Sequence, residues 1–171
     1  MKCTFQAARL DDINILKDIA KRVIILNYTP FLGAEAVRNF IESGQADKEI
    51  DNGIRNCTVL IGDGMPKGFA ITKAPLLHLI MIDTVFQRSG YGSRLLQYVE
   101  NMLFMRHNII YLNSFKANTI ANQFYLKNDW SIVQKDGEDE TGDMLIRFEK
   151  KQRGQTVNSR EKVDCGWSRG N

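Results

Sequence analysis

Residues 76–104, LLHLIMIDTVFQRSGYGSRLLQYVENMLF, set the frame into which the rest of the chain fits. They open as an apolar run from Leu76 to Ile82 broken only by His78, with the length and branched content of a buried strand. A short connector leads to Gln87-Arg88-Ser89-Gly90-Tyr91-Gly92. A helix-period segment follows, in which Leu95, Leu96, Val99 and Leu103 share one face. Strand, glycine-bearing turn and helix in succession aim unpaired backbone N–H groups and the positive end of a helix dipole at an anion. The stretch therefore implies a ligand that carries phosphate.

The turn lacks the third glycine of a dinucleotide fingerprint and the Gly-Lys-Ser/Thr ending of a nucleoside triphosphate loop. What stands there is Q-x-x-G-x-G. Downstream, residues 118–130 read NTIANQFYLKNDW, a short helical pattern with Asn118, Ala121, Phe124, Tyr125 and Lys127 at characteristic spacings. Together, in this order, the two motifs resemble the GNAT superfamily of acetyl-coenzyme A-dependent N-acetyltransferases. Asn128 is read where that family usually has glycine, as the residue that ends the helix in a left-handed conformation; Trp130 replaces the usual phenylalanine as an aromatic plug. Read without the family, Ile120, Ala121 and Phe124 are plain core, Asn118 is an N-cap, and Tyr125 is a buried tyrosine.

Outward from these motifs, strands are expected over 4–8, 57–62, 68–73, 76–83, 109–115, 130–135 and 144–150. Helices are expected over 13–24, 34–43 and 118–127 besides the central one, with Pro30 breaking the first and 45–56 forming a loop or ragged turn. Asp63-Gly64-Met65-Pro66 has hairpin chemistry, and 136–142 forms an acidic hairpin tip. The order β-α-α-β-β-β-α-β-α-β-β gives an α+β fold, a mixed and mostly antiparallel sheet flanked by helices, and matches the GNAT order.

Length fits one domain over 1–150 with a basic tail over 151–171. The formal charge of +3 is too small to argue for nucleic acid, and residues 150–171 alone carry +4. Trp167 is a candidate anchor of that tail to the body or to a second subunit, as in a homodimer. Three cysteines without a C-x-x-C pair argue against disulfides and zinc. With no signal-peptide core and no membrane-spanning run, a metal-free cytoplasmic protein is expected.

The resemblance implies acetyl-coenzyme A and an amine acceptor as partners. It also implies direct acetyl transfer in a ternary complex. The backbone of Ile80, Met81 and Ile82 would pair with the pantetheine arm. Gln87, Arg88, Ser89, Gly90, Tyr91, Gly92, Ser93 and Asn118 complete the coenzyme set, with backbone N–H groups on the pyrophosphate. Backbone N–H groups near Met81 and Ile82 would stabilise the oxyanion. Tyr125 is the candidate general acid for the departing thiolate. The strand-five glutamate found in many family members is Asn113 here, which leaves His78 as the candidate base, with a satisfied core histidine as its alternative. The acceptor would lie between residues 27–32 and the acidic tip, whose carboxylates suit a cationic amine. A macromolecular acceptor docked by the tail, or a coenzyme-binding module without turnover, are the rival expectations.

Overall fold

The structure, a computed structural model, describes residues 2–138 and 144–152. Its elements are β1 (Cys3–Ala7), α1 (Ile13–Leu32), α2 (Ala34–Glu42), α3 (Gln45–Gly53), β2 (Cys57–Gly62), β3 (Met65–Lys73), β4 (Leu76–Ile82), α4 (Tyr91–Phe104), β5 (Ile109–Phe115), α5 (Thr119–Lys127), β6 (Ser131–Glu138) and β7 (Met144–Lys151). One seven-stranded sheet runs β1-β2-β3-β4-β5-β7-β6, antiparallel throughout except for the parallel β4–β5 step. The α+β architecture is the expected one, with one more helix, α3, between α2 and β2. Ala46 and Ile50 are buried from its inner face.

Two apolar layers lie on opposite faces of the sheet because successive strand residues point to opposite sides. Val59, Phe69, Ile71 and Met81 pack under α1, α2 and α3. Leu60, Ala70 and Ile82 pack under α4 and α5, where Leu95, Leu96, Val99 and Leu103 form the expected helical stripe.

Pro30 does not break α1. It sits in the last turn, where its missing N–H forfeits a single bond to Leu26, and the helix runs on to Leu32 before Gly33 (φ 86°) ends it. The β2–β3 hairpin closes on Asp63 and Gly64, both at positive φ (51° and 77°), so β3 begins earlier than the sequence suggested, at Met65. Pro66 lies where the β2–β3 register shifts, a place a strand can spare a donor. The left-handed residue after α5 is Asp129 (φ 65°) and not Asn128 (φ −101°). Asn128 instead donates its side-chain amide to the Phe124 carbonyl at 2.8 Å. Ile120, expected in the core, is 70% exposed. β6 continues through Glu138, into the segment expected to be the hairpin tip; the rest of that tip and the tail from residue 153 lie outside the described residues.

A polar clip joins α4, β7 and the turn after α5. Buried Glu100 accepts from the Trp130 indole N–H at 2.7 Å and from the Lys150 ammonium at 2.6 Å, and Lys150 also donates to the Asn128 carbonyl at 2.8 Å. Glu100→Gln keeps the volume and the indole bond but turns an amide toward the ammonium. A charge-assisted bond is worth about 2 kcal/mol. The variant should lose that much, read as a lower urea midpoint at unchanged slope.

Candidate active site

The site begins where the sheet comes apart. β4 and β5 pair at Leu76–Tyr111, where the Tyr111 N–H also donates to the Pro75 carbonyl at 3.3 Å, and at no later residue. Each strand keeps its outer partner, β3 or β7, so the two inner edges diverge and face a gap. The Asp83 N–H donates to Lys67 on β3 at 2.9 Å. Strand alternation then turns the peptide groups of Met81 toward β3 and those of Ile80 and Ile82 into the gap. The Ile82 carbonyl there receives the Gln87 side-chain amide at 3.0 Å. Gln87 thus ties the following loop to the strand, and its amide is engaged within the protein.

That loop passes through a 3-10 turn, Thr84–Phe86, and reaches α4 through two left-handed residues, Arg88 (φ 58°) and Gly90 (φ 85°). A non-glycine residue in this region costs roughly 1 kcal/mol, strain that here aims the backbone. The Ser89 hydroxyl donates to the Phe86 carbonyl. The first amide of the α4 turn to find a backbone acceptor is that of Arg94, on the Gly90 carbonyl at 3.3 Å. Among the described residues, the N–H groups of residues 88–93 donate to no backbone carbonyl. Arg88, Ser89, Gly90 and Ser93 are exposed, so this run of donors opens outward at the positive end of the α4 dipole. The Tyr91 ring is turned inward, buried edge-on to Phe86 at 6.3 Å. A Cβ on Gly92 would meet the Phe124 ring at 3.5 Å and Ile82 at 3.7 Å, ordinary contacts, so protein packing does not demand glycine there. A diphosphate fits this set: it needs several converging N–H donors and a surface without a side chain.

Tyr125 lies on the buried side of α5. Its ring packs against Phe124, Phe148 and Trp130, and the residue is 9% exposed. Burial, and then the neighbouring Tyr28 phenol, raise its hydroxyl well above the ordinary tyrosine value. Tyr28 comes from α1, on the opposite face of the sheet, and burial raises its phenol too. Two neutral phenols from opposite faces of the sheet are thus close enough to influence one another electrostatically. Neither hydroxyl has a hydrogen-bond partner among the described residues.

A family model described as an acetyltransferase (GNAT) domain matches residues 21–150. The chain belongs to the GNAT acetyltransferase family. A comparison with curated proteins finds no match. Among solved structures, the PaiA N-acetyltransferase of Thermoplasma acidophilum in complex with coenzyme A is similar with a TM-score of 0.74 at 18% identity, over 89% of this chain and 100% of that one. A GCN5-related N-acetyltransferase from Rhodopseudomonas palustris gives 0.76 at 13%, over 89% and 97%. The ribosomal-protein-S18-alanine N-acetyltransferase of Escherichia coli gives 0.61 at 16%, over 91% and 99%. At these identities the likenesses carry the fold. Among the described residues no helix is long and apolar enough to cross a membrane.

In this GNAT chain the remaining predicted residues are dispersed. Asn118 caps α5, its side-chain oxygen accepting from the Ala121 N–H at 3.2 Å. His78 is the extra residue where the β3–β4 register shifts. Its Nε2 lies 2.6 Å from the Glu49 carboxylate on α3 and 3.1 Å from the Lys73 ammonium. No contact brings it to Tyr125 or Tyr28. Asn113 is exposed and pairs across to Arg147. Tyr28 was missed at the level of single residues. The signal was Tyr28 and Phe31 three apart in a segment expected to be a loop, a spacing that on a helix puts both rings on one side.

The end of β4 is held by Arg22 of α1, which donates to Asp83 through Nε at 3.2 Å and Nη2 at 2.7 Å. The hydrogen bond from Arg22 keeps the Asp83 carboxyl below its ordinary range. A carboxylate so depressed adds stability above its unfolded pKa of ~3.9 and loses it as pH falls through the lower folded value. Asp83→Asn should remove that dependence, so the gap in melting temperature between wild type and variant narrows below about pH 4. The guanidinium is about half exposed, which keeps the increment small.

Proposed function

We propose that this GNAT protein is an acetyl-coenzyme A-dependent N-acetyltransferase that acts on a primary amine of a small molecule or peptide by direct transfer. The observation that carries the reading is a parting of the sheet with a run of outward amides after β4, and a neutral phenol on α5, the helix whose Phe124 lies beside Gly92 of that run. The amides of residues 88–93 would hold the pyrophosphate, and the inner edge of β4 at Ile80 and Ile82 would pair with the pantetheine. The bound coenzyme supplies an acyl group activated as a thioester. The N–H groups of Ile80 and Ile82, rather than that of Met81, are turned to meet a developing oxyanion. Tyr125 holds a proton at Oη throughout the physiological range, because its hydroxyl titrates above it. That proton passes to the departing thiolate, and the proton that the amine loses, relayed through water, restores the phenol.

Direct transfer is favoured over an acetyl-cysteine relay. Cys57 is buried and its thiol is pushed up to about 12, mainly by burial, so it offers no thiolate. The Glu49 contact supports a packing role for His78, and the acceptor amine then loses its proton to water. Cys3 and Cys57 are unpaired thiols, which suits a cytoplasmic setting. Calorimetric titration with acetyl-coenzyme A, followed by thiol release on an amine panel, tests the reading. Saturable binding with amine-dependent thiol release is expected. Binding without release on any amine or peptide would make the chain a coenzyme-binding module, and absence of binding would end the proposal.

A further inference from the structure

Tyr28 belongs to a cluster of three rings from α1 and β5. Tyr28 lies 5.6 Å from Phe31 and 5.6 Å, edge-on, from Phe115; Phe31 and Phe115 are 5.8 Å apart. Phe31 and Phe115 also line a cleft of about 350 Å³, together with Leu32, Lys116, Ala117 and Met144. That volume is at the lower end of small-ligand pockets and suits one ring-sized body. Its described wall is aromatic and aliphatic except for Lys116, a cation, and presents no carboxylate. Against this described wall an alkylammonium chain would lose its hydration without a counter-charge and face the Lys116 cation, a cost of several kcal/mol.

Phe115 stands on β5 beyond Tyr111, the last residue paired with β4, so one wall of the cleft belongs to the strand that has parted from β4. We propose that the acceptor is a small primary amine carried one or two carbons from an aromatic or branched apolar body, an arylalkylamine by class, and that Phe31, Phe115 and Met144 select it. This rests on the transferase reading above and replaces a cationic acceptor steered by the acidic hairpin tip. Holding the body on a rigid ring cluster fixes the direction of a short amine arm, which is what rate enhancement by positioning requires.

The test uses the full chain with acetyl-coenzyme A and four acceptors: 2-phenylethylamine, 3-methylbutylamine, spermidine and a Gly-Gly-Phe peptide. The two apolar amines should exceed spermidine and the peptide in kcat/KM by about tenfold or more, the discrimination an apolar pocket gives. Phe115→Ala and Phe31→Ala should raise KM for 2-phenylethylamine about tenfold with kcat and coenzyme affinity little changed, the mark of lost uniform binding. Met144→Gln, at a residue 37% exposed and so tolerant of change, should weaken the preference without loss of fold. Spermidine or the peptide turned over as well as the apolar amines overturns the inference and leaves the transferase standing. So do ring variants that shift all acceptors equally. Coenzyme binding with no acceptor turned over overturns both.

Discussion

Gly92→Asp is expected to weaken acetyl-coenzyme A binding by at least 100-fold or so while leaving the protein as stable as before, or slightly more. The two effects have opposite signs for one reason. A carboxylate in the first turn of α4 interacts favourably with the helix dipole, typically by 0.3–1 kcal/mol, so the apo fold gains. The backbone accommodates it, since a Cβ at this position has no neighbour closer than 3.5 Å. A diphosphate on the same amides would lose up to about 2 kcal/mol of helix-end attraction and meet a like charge at a few ångströms, worth a further 1–4 kcal/mol near a surface. Three kcal/mol or so is already more than a hundredfold in affinity. Calorimetric titration beside thermal melts measures both. A variant that melts like wild type and binds the coenzyme as tightly would move the phosphate site away from this helix end. Gly92→Ala, without charge, should sit between the two in binding.

How much of this was legible beforehand depends on how far apart the interacting residues are in the chain. The strand from Leu76, the loop and the stripe of Leu95, Leu96, Val99 and Leu103 are local patterns, and they stand as expected. α3 was obscured because its buried face is made of Ala46, Ile50 and Gly53 amid charged neighbours. Gly53 is small because a Cβ there would lie 2.6 Å from the Ile71 side chain on β3, a tertiary reason no local pattern reports. Pro30 was read as a breaker by its usual effect, yet one lost bond in a final turn is tolerable. The engagement of His78 by Glu49, 29 residues away, and of Gln87 by Ile82 are side-chain choices that depend on packing. The motif placed Gln87 at the loop; the structure gives it the work of fastening that loop to β4. Tyr28 escaped notice for the same reason, since its partner Phe115 is far away in the chain.

Tyr125→Phe should lower kcat by 10²–10⁴-fold, the range for removal of a positioned proton donor, with coenzyme affinity and stability nearly unchanged. The ring is held by Phe124, Trp130 and Phe148, contacts that phenylalanine keeps. The hydroxyl makes no hydrogen bond to the described residues, so its loss leaves no orphaned partner. Tyr28→Phe is the necessary control. If proximity of two phenols were only a packing feature, both variants would behave alike; if Tyr125 donates the proton, Tyr28→Phe should retain most of kcat. The pH profile adds an independent reading. Because burial lifts the Tyr125 hydroxyl above its ordinary value, the wild-type enzyme should show no alkaline loss of kcat attributable to a tyrosine near pH ~10. A leaving group that needs no protonation offers the last discrimination. With an acyl thioester whose thiol is strongly acidic, departure is easy without a donor, so the deficit of Tyr125→Phe should shrink toward wild type. A deficit of the same size for both thioesters would mean that the phenol positions the ring cluster and gives up no proton.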